Sequence, residues 1–239
     1  MTETDPRAVR PHSAAAVPEL PAAVLFDMDG TLVDSEKLWT VAMDDYAAAH
    51  GAEISDAARA SMVGSNMSRS MRLLLADLGM PTEPADIEAA GERVIARMSE
   101  MLSNDLTWRP GAEGALRRVS ASGVPVALVT STIRSLTDIA LRTIGTEVFD
   151  ATVCGDEVDG RNKPDPEPYL RACRILGVDP RHCVAVEDSP TGVSSAVAAG
   201  CAVLGVTCEV PLDPELGCTL RDSLEGIDAV ELGSLLRRG

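Results

Sequence analysis

Ala22-Ala-Val-Leu-Phe26-Asp27-Met-Asp29-Gly30-Thr31 is the stretch that decides how this chain is read. An apolar run stopped abruptly by Asp-Met-Asp-Gly has the length and composition of a buried strand that ends in a turn. On extended backbone, residues two apart point the same way, so Asp27 and Asp29 can look into one crevice at the strand's end. One carboxylate there can attack a phosphoryl group. The other can carry the proton that the leaving group needs. Two acids so close raise one another's pKa, which favours keeping one protonated. Gly30 frees the backbone to turn sharply toward a ligand. Asp-x-Asp-Gly also occurs in ordinary polar turns and in calcium loops. The preceding apolar run and the following Thr31-Leu-Val-Asp34 set this one apart.

Outward from this segment the chain changes texture twice. Residues 1–20 are rich in Ala, Pro and charge, without periodicity, and read as a mobile tail. From Ser35 to about His50, apolar residues at 38, 41, 42, 46 and 49 share a helical face, and Gly51 is a natural stop. Further helices are expected over 55–63, 68–79 and 84–103. After Gly111, helices at 112–121, 134–144, 167–176 and 191–199 alternate with strands at 124–129, 151–154, 183–186 and 201–206. A turn and a final helix are expected over 224–236. Such alternation implies a parallel sheet covered by helices on both faces, with sites at the carboxyl ends of its strands. The expected fold is α/β: a Rossmann-like parallel-sheet core from 21–35 and 106–239, interrupted by an all-helical cap over 36–105.

Composition narrows the function. With 21 basic and 37 acidic residues, the formal charge of −16 repels nucleic acid and anionic membranes. No apolar run approaches a membrane span. Aromatic residues make up only 3% of the chain, so the core must be aliphatic. Cysteines at 154, 173, 183, 201, 208 and 218 form no C-x-x-C pair. Scattered thiols of this kind suit a reducing, cytoplasmic setting. The expected partner is a small phosphorylated metabolite, with no nucleic acid and no membrane, and the chain is expected to be a monomer. An anionic substrate then needs local positive charge.

Two segments supply that charge. Lys163 is one of only two lysines, the other being Lys37, and stands in Asn162-Lys-Pro-Asp-Pro166, where the prolines stiffen the loop that presents it. Glu187-Asp188-Ser189-Pro190 follows the apolar Val184–Val186 run. Hard oxygen donors at that density suit Mg²⁺, which neutralises and orients a phosphate. Asp188 or Ser189 before a proline also fits an ordinary helix cap, and the two roles are compatible. Thr130-Ser131-Thr132 ends another apolar run, and its hydroxyls and N–H groups can hold phosphate oxygens at a helix N-terminus or simply cap it.

In this order the pieces resemble the haloacid-dehalogenase-like superfamily, in its phosphatase and β-phosphoglucomutase-like branch. The resemblance rests on Asp27-Met-Asp29-Gly-Thr-Leu-Val-Asp34-Ser-Glu36, Leu-Val-Thr130-Ser, Asn-Lys163-Pro-Asp-Pro-Glu-Pro-Tyr169 and Val-Glu187-Asp188-Ser-Pro-Thr-Gly192, and spans about residues 22–236. It implies Asp27 as nucleophile and Asp29 as acid/base. It implies Mg²⁺ on the Asp27 side chain, the Asp29 carbonyl and Asp188, with Glu187 in support. Thr130, Ser131 and Lys163 are the implied phosphate-binding set. The implied reaction is hydrolysis of small phosphomonoesters through an aspartyl-phosphate. The alternative is a sugar-phosphate mutase. Mutases carry a His twelve positions after the nucleophile, where this chain has Trp39. They also carry an Arg three after a cap glycine, where counting from Gly64 gives Met67. Lys37, Asn66, Arg69 and Arg72 are the cap residues expected at the substrate's non-reacting end.

Overall fold

The computed structural model describes residues 20–62, 65–208 and 210–237. The expected tail therefore lies outside the described residues except for Leu20, and so does Gly64. Strand β1 (Ala23–Phe26) is followed by helices α1 (Glu36–Ala49), α2 (Asp56–Met62), α3 (Met67–Asp77) and α4 (Pro84–Asn104). Then come α5 (Ala112–Ala121), β2 (Val126–Val129), α6 (Arg134–Ile144) and β3 (Ala151–Val153). The chain continues through α7 (Glu167–Leu176), β4 (Cys183–Glu187), α8 (Pro190–Ala199), β5 (Ala202–Val206), β6 (Thr219–Arg221) and α9 (Ala229–Gly233). The strand β6 was not anticipated: Thr-Leu-Arg carries no apolar run, and it lies at the exposed edge of the sheet.

All pairings among the described strands are parallel, in the order β3-β2-β1-β4-β5-β6. The chain runs outward from β1 through β2 and β3, then returns to build the other half from β4. This reversal makes a crevice beside β1 at the carboxyl ends. Phe26 pairs with both Leu128 and Val186, so β1, β2 and β4 end level with one another. The residues that follow on each strand therefore share one rim.

The alternation of β1 explains the layers. Val24 and Phe26 face a cluster with Leu116, Val119, Ala140 and Leu232 from α5, α6 and α9. Ala23 and Leu25 face Tyr169, Ala172, Val193 and Ala196 from α7 and α8. Both faces are covered, which is why the strands are apolar throughout. Helices α1–α4 gather round a separate cluster that includes Met43, Tyr46, Leu74, Val94 and Met98, joined from the core by Leu136. The inserted helices begin and end together. Asp34 N–H donates to Thr107 O and Arg109 N–H to Leu32 O, each at 2.9 Å, and Val33 bridges Trp108.

Candidate active site

Asp27 follows β1 directly and is buried. Its Oδ1 accepts from Lys163 Nζ at 2.6 Å. The same ammonium donates to Glu187 Oε1 at 2.6 Å and to Val129 O at 2.9 Å. Lys163 thus binds β1, β2 and β4 at once, from the loop before α7. Tyr169 donates its hydroxyl to Glu187 Oε1 at 2.6 Å. Glu187 Oε2 accepts from Asp188 N and Ser189 Oγ, each at 3.2 Å. Glu187 is completely buried, and its oxygens are taken up in holding Lys163 and the start of the next loop. A Cβ on Gly192 would sit 2.0 Å from that carboxylate, so the glycine is the space that Glu187 occupies.

Asp29 has a different environment. Its Oδ2 accepts from Thr132 Oγ1 at 2.8 Å and Thr130 Oγ1 at 3.1 Å, and its Oδ1 from Ser35 Oγ at 2.5 Å and Trp39 Nε1 at 3.4 Å. Gly30 turns with φ of +78°, and a Cβ there would lie 2.2 Å from Asp188 Oδ2. Asp188 in turn accepts from Thr31 Oγ1 at 3.2 Å.

The electrostatics follow from burial. Loss of water pushes the Asp27 carboxyl well above the ordinary aspartate range; Lys163 opposes this, while Glu187 and Asp188 add to it. Burial, then Glu187 and Glu36, push Asp188 up likewise. Burial alone would lower the Lys163 ammonium, but Asp27 and Glu187 outweigh it and hold it above its usual value. Asp27, Glu187 and Asp188 can each offer an oxygen within 4.8 Å of the others. Three buried carboxylates facing one buried ammonium leave a deficit of positive charge. The all-oxygen donor set and that deficit fit a hard divalent cation such as Mg²⁺.

A cavity of about 360 Å³ opens from this rim toward the inserted helices. Asp27, Asp29, Lys163, Asp188, Ser131 and Thr132 line its floor, and Trp39, Met43, Arg59, Met62 and Ser70 are among the residues of the opposite wall. Thr130 does not reach the cavity. It is buried, with its hydroxyl on Asp29 and accepting from Thr132 N–H at 3.0 Å. Nor do Lys37, Asn66, Arg69 or Arg72 line it. Lys37 pairs with Asp34 at 2.5 Å. Asn66 caps α3 by accepting from Arg69 N–H at 3.0 Å. Arg69 and Arg72 lie on the exposed face of α3, opposite Met71, Leu74 and Leu75, because the helical period turns them outward. Sequence reasoning passed over Ser35, Tyr169 and Arg59. It offered the Thr130–Thr132 hydroxyls to a phosphate or a helix cap, and nothing in the one-dimensional pattern said which of them faced Asp29.

The family model described as haloacid dehalogenase-like hydrolase matches residues 24–206. The chain belongs to the haloacid dehalogenase-like hydrolases. Hexitol phosphatase A of Escherichia coli (strain K12) is 34% identical over 182 residues, which cover 76% of this chain and 81% of that protein. A crystal structure of CbbY from Rhodobacter sphaeroides in complex with xylulose-(1,5)bisphosphate aligns with a TM-score of 0.74 at 28% identity, covering 87% of this chain and 96% of that one. β-Phosphoglucomutase from Clostridium difficile aligns with a TM-score of 0.78 at 21% identity, over 92% of this chain and 98% of that one, a likeness of fold alone. These relatives put this haloacid dehalogenase-like hydrolase in the branch of sugar phosphatases and β-phosphoglucomutase-like proteins. Among the described residues no helix is long and apolar enough to cross a membrane.

Proposed function

We propose that the chain is a Mg²⁺-dependent phosphatase of small phosphomonoesters, sugar phosphates or similar metabolites, acting through an aspartyl-phosphate. One observation carries the reading: two aspartates on one turn have opposite surroundings. Asp27 lies against the buried Lys163 ammonium, and Asp29 lies in a shell of hydroxyl and indole donors. The first suits a nucleophile whose developing charge changes are met by a fixed cation, and the second suits a proton carrier.

In the first half-reaction an Asp27 oxygen bonds to phosphorus as the phosphorus–alkoxide bond breaks. Asp29, as the carboxylic acid, gives its proton to the leaving oxygen. In the second, Asp29 carboxylate takes a proton from water while the water oxygen attacks phosphorus. The Asp27–phosphorus bond breaks and inorganic phosphate leaves. Ser35, Thr130 and Thr132 hydroxyls can donate to the carboxylate and accept from the acid, so they serve both states. The Trp39 indole only donates. Ser131, on the cavity floor, is the group we assign to the phosphoryl oxygens. Lys163, whose three N–H donors are taken by Asp27, Glu187 and Val129, acts on the phosphate through its charge, and Thr130 acts through Asp29. The Asp27 and Asp188 side chains and the Asp29 carbonyl would hold Mg²⁺, with Glu187 orienting Lys163 behind them. When bound, the ion neutralises phosphate charge.

The relatives, hexitol phosphatase A among them, support a sugar-type substrate. Trp39, at the position where mutases carry His, supports hydrolysis over phosphoryl return. The division into core (21–35 and 106–239) and cap (36–105), a monomeric state and a cytoplasmic location belong to the same proposal. The test is Asp27→Asn assayed with p-nitrophenyl phosphate and Mg²⁺. Phosphate release should vanish with the circular dichroism spectrum unchanged, and turnover near that of the parent would overturn the nucleophile assignment.

A further inference from the structure

The cavity walls are unequal in charge. The floor is crowded with carboxylates. Of the charged side chains that the inserted helices contribute among the described lining residues, Glu36 of α1 adds one more near Asp188, whereas Arg59 of α2 is the one cation. Its Nη2 donates to Asp44 Oδ1 at 2.5 Å, which anchors the guanidinium from α1. Asp44 does not line the cavity, nor does Asp77, whose carboxyl is held low by Ser55 and then by Arg59, so the cavity sees the donor and not its acidic neighbours. A guanidinium carries five N–H donors in a planar fork, and the anchor engages one nitrogen. Trp39, Met43, Met62 and Met67 line the same cavity, inside which a charge-assisted bond is stronger than in open water, while Arg59 itself is partly exposed.

From these facts we infer that Arg59 is a specificity-determining residue for a second anionic group at the far end of the substrate: the preferred substrates are phosphorylated acids or bisphosphates, not neutral polyol phosphates. The inference rests on the phosphatase reading and narrows its substrate class, away from the hexitol phosphates for which one relative is named. A chain of formal charge −16 has little reason to turn an arginine already braced by Asp44 into a phosphate-binding cavity unless its remaining donors meet an acceptor there. A neutral hydroxyl terminus calls for paired donors and acceptors, whereas a carboxylate or phosphate takes donors only. A cavity of about 360 Å³ accommodates a phosphorylated chain of about six carbons.

The experiment compares 6-phosphogluconate with glucitol 6-phosphate, which share the phosphoryl end and differ at the far carbon, carboxylate against CH₂OH. The reading is the ratio of their kcat/KM values with Mg²⁺. The parent protein should favour the acid by about tenfold to a hundredfold, chiefly through KM. Arg59→Met should bring the ratio to near unity, and Arg59→Lys should leave it in between, since it keeps the charge without the fork. A parent ratio near or below unity, or an Arg59→Met variant that keeps the parent's ratio, overturns the inference while leaving the phosphatase reading intact. If neither compound releases phosphate, nor does p-nitrophenyl phosphate, the phosphatase reading fails instead. The ratio of the two compounds' dissociation constants, measured by calorimetry on parent and Arg59→Met, then decides the Arg59 assignment by the same criterion.

Discussion

Changing Tyr169 to Phe removes one oxygen from the centre of the core and leaves the ring packing in place. That oxygen donates to Glu187 at 2.6 Å, and both side chains are fully buried. No water can replace the lost donor without opening the layer between β4 and α7. A hydrogen bond to a buried charged group contributes about 1.5–3 kcal/mol. Taking about 2 kcal/mol, and about 2–4 °C per kcal/mol for a chain of this size, Tm should fall by about 4–8 °C. Glu187 Oε1 is then left to Lys163 alone, so the ammonium loses part of its fixed geometry. A misplacement costing about 1.4 kcal/mol in the transition state lowers kcat about tenfold. Burial and the Glu187 charge hold the phenol well above its ordinary pKa, so it stays a donor throughout the usual assay range. The loss in Tm should therefore be equal at pH 6 and pH 9. Differential scanning calorimetry of parent and variant at those two pH values, with steady-state turnover of p-nitrophenyl phosphate at neutral pH, measures all of this. A Tm within about 1 °C of the parent would refute the claim that the phenol supports the buried carboxylate.

Two further expectations follow from the same site. Gly192→Ala places a methyl 2.0 Å from the Glu187 carboxylate in a packed layer. Overpacking of this kind costs about 1–3 kcal/mol, and displacing Glu187 should lower turnover well beyond the Tyr169 change; urea unfolding and turnover of the purified variant check both. The third concerns pH and metal. Burial holds Asp27 and Asp188 above their unfolded values in the metal-free chain, so between the unfolded value, about 4, and the raised folded value the native state binds more protons than the unfolded state. With EDTA, stability should therefore fall as pH rises through that window, and added Mg²⁺ should raise Tm more at pH 7.5 than at pH 5. An equal or larger Mg²⁺ effect at pH 5 would remove these carboxylates from the metal site.

Much of the core was legible because its signals are local. A buried parallel strand must be apolar on both faces, so the runs ending at Phe26, Val129 and Val186 announced themselves within a residue or two of the observed ends. Acids that interrupt such runs can only lie at a strand's end, which is how Asp27 and Asp188 were found. Lys163 stood out through its scarcity and its stiff loop. The cap wall was not legible in the same way. Which side of α2 or α3 faces the cavity depends on the tilt of one helix against another, and charge alone pointed to Arg69 and Arg72 when the helical phase exposes them. Arg59 has no local signature, since its partner Asp44 lies on another helix. Of the donors to Asp29, Ser35 and Trp39 arrive through the turn into α1, and only the register of β1 against β2 brings Thr130 and Thr132 to the same carboxylate.

The insertion that carries the cap starts and finishes at the same point, where Val33 meets Trp108. To the sheet, everything between those residues is a single loop with its ends already tied. Closing such a loop costs only slightly more as it lengthens. Selection can therefore lengthen, shorten or replace helices α1–α4 as an exchangeable cassette, while the carboxylate rim stays untouched. On the function proposed above, a chimera grafting a relative's helices at this junction would change what is bound without rebuilding what is done to it.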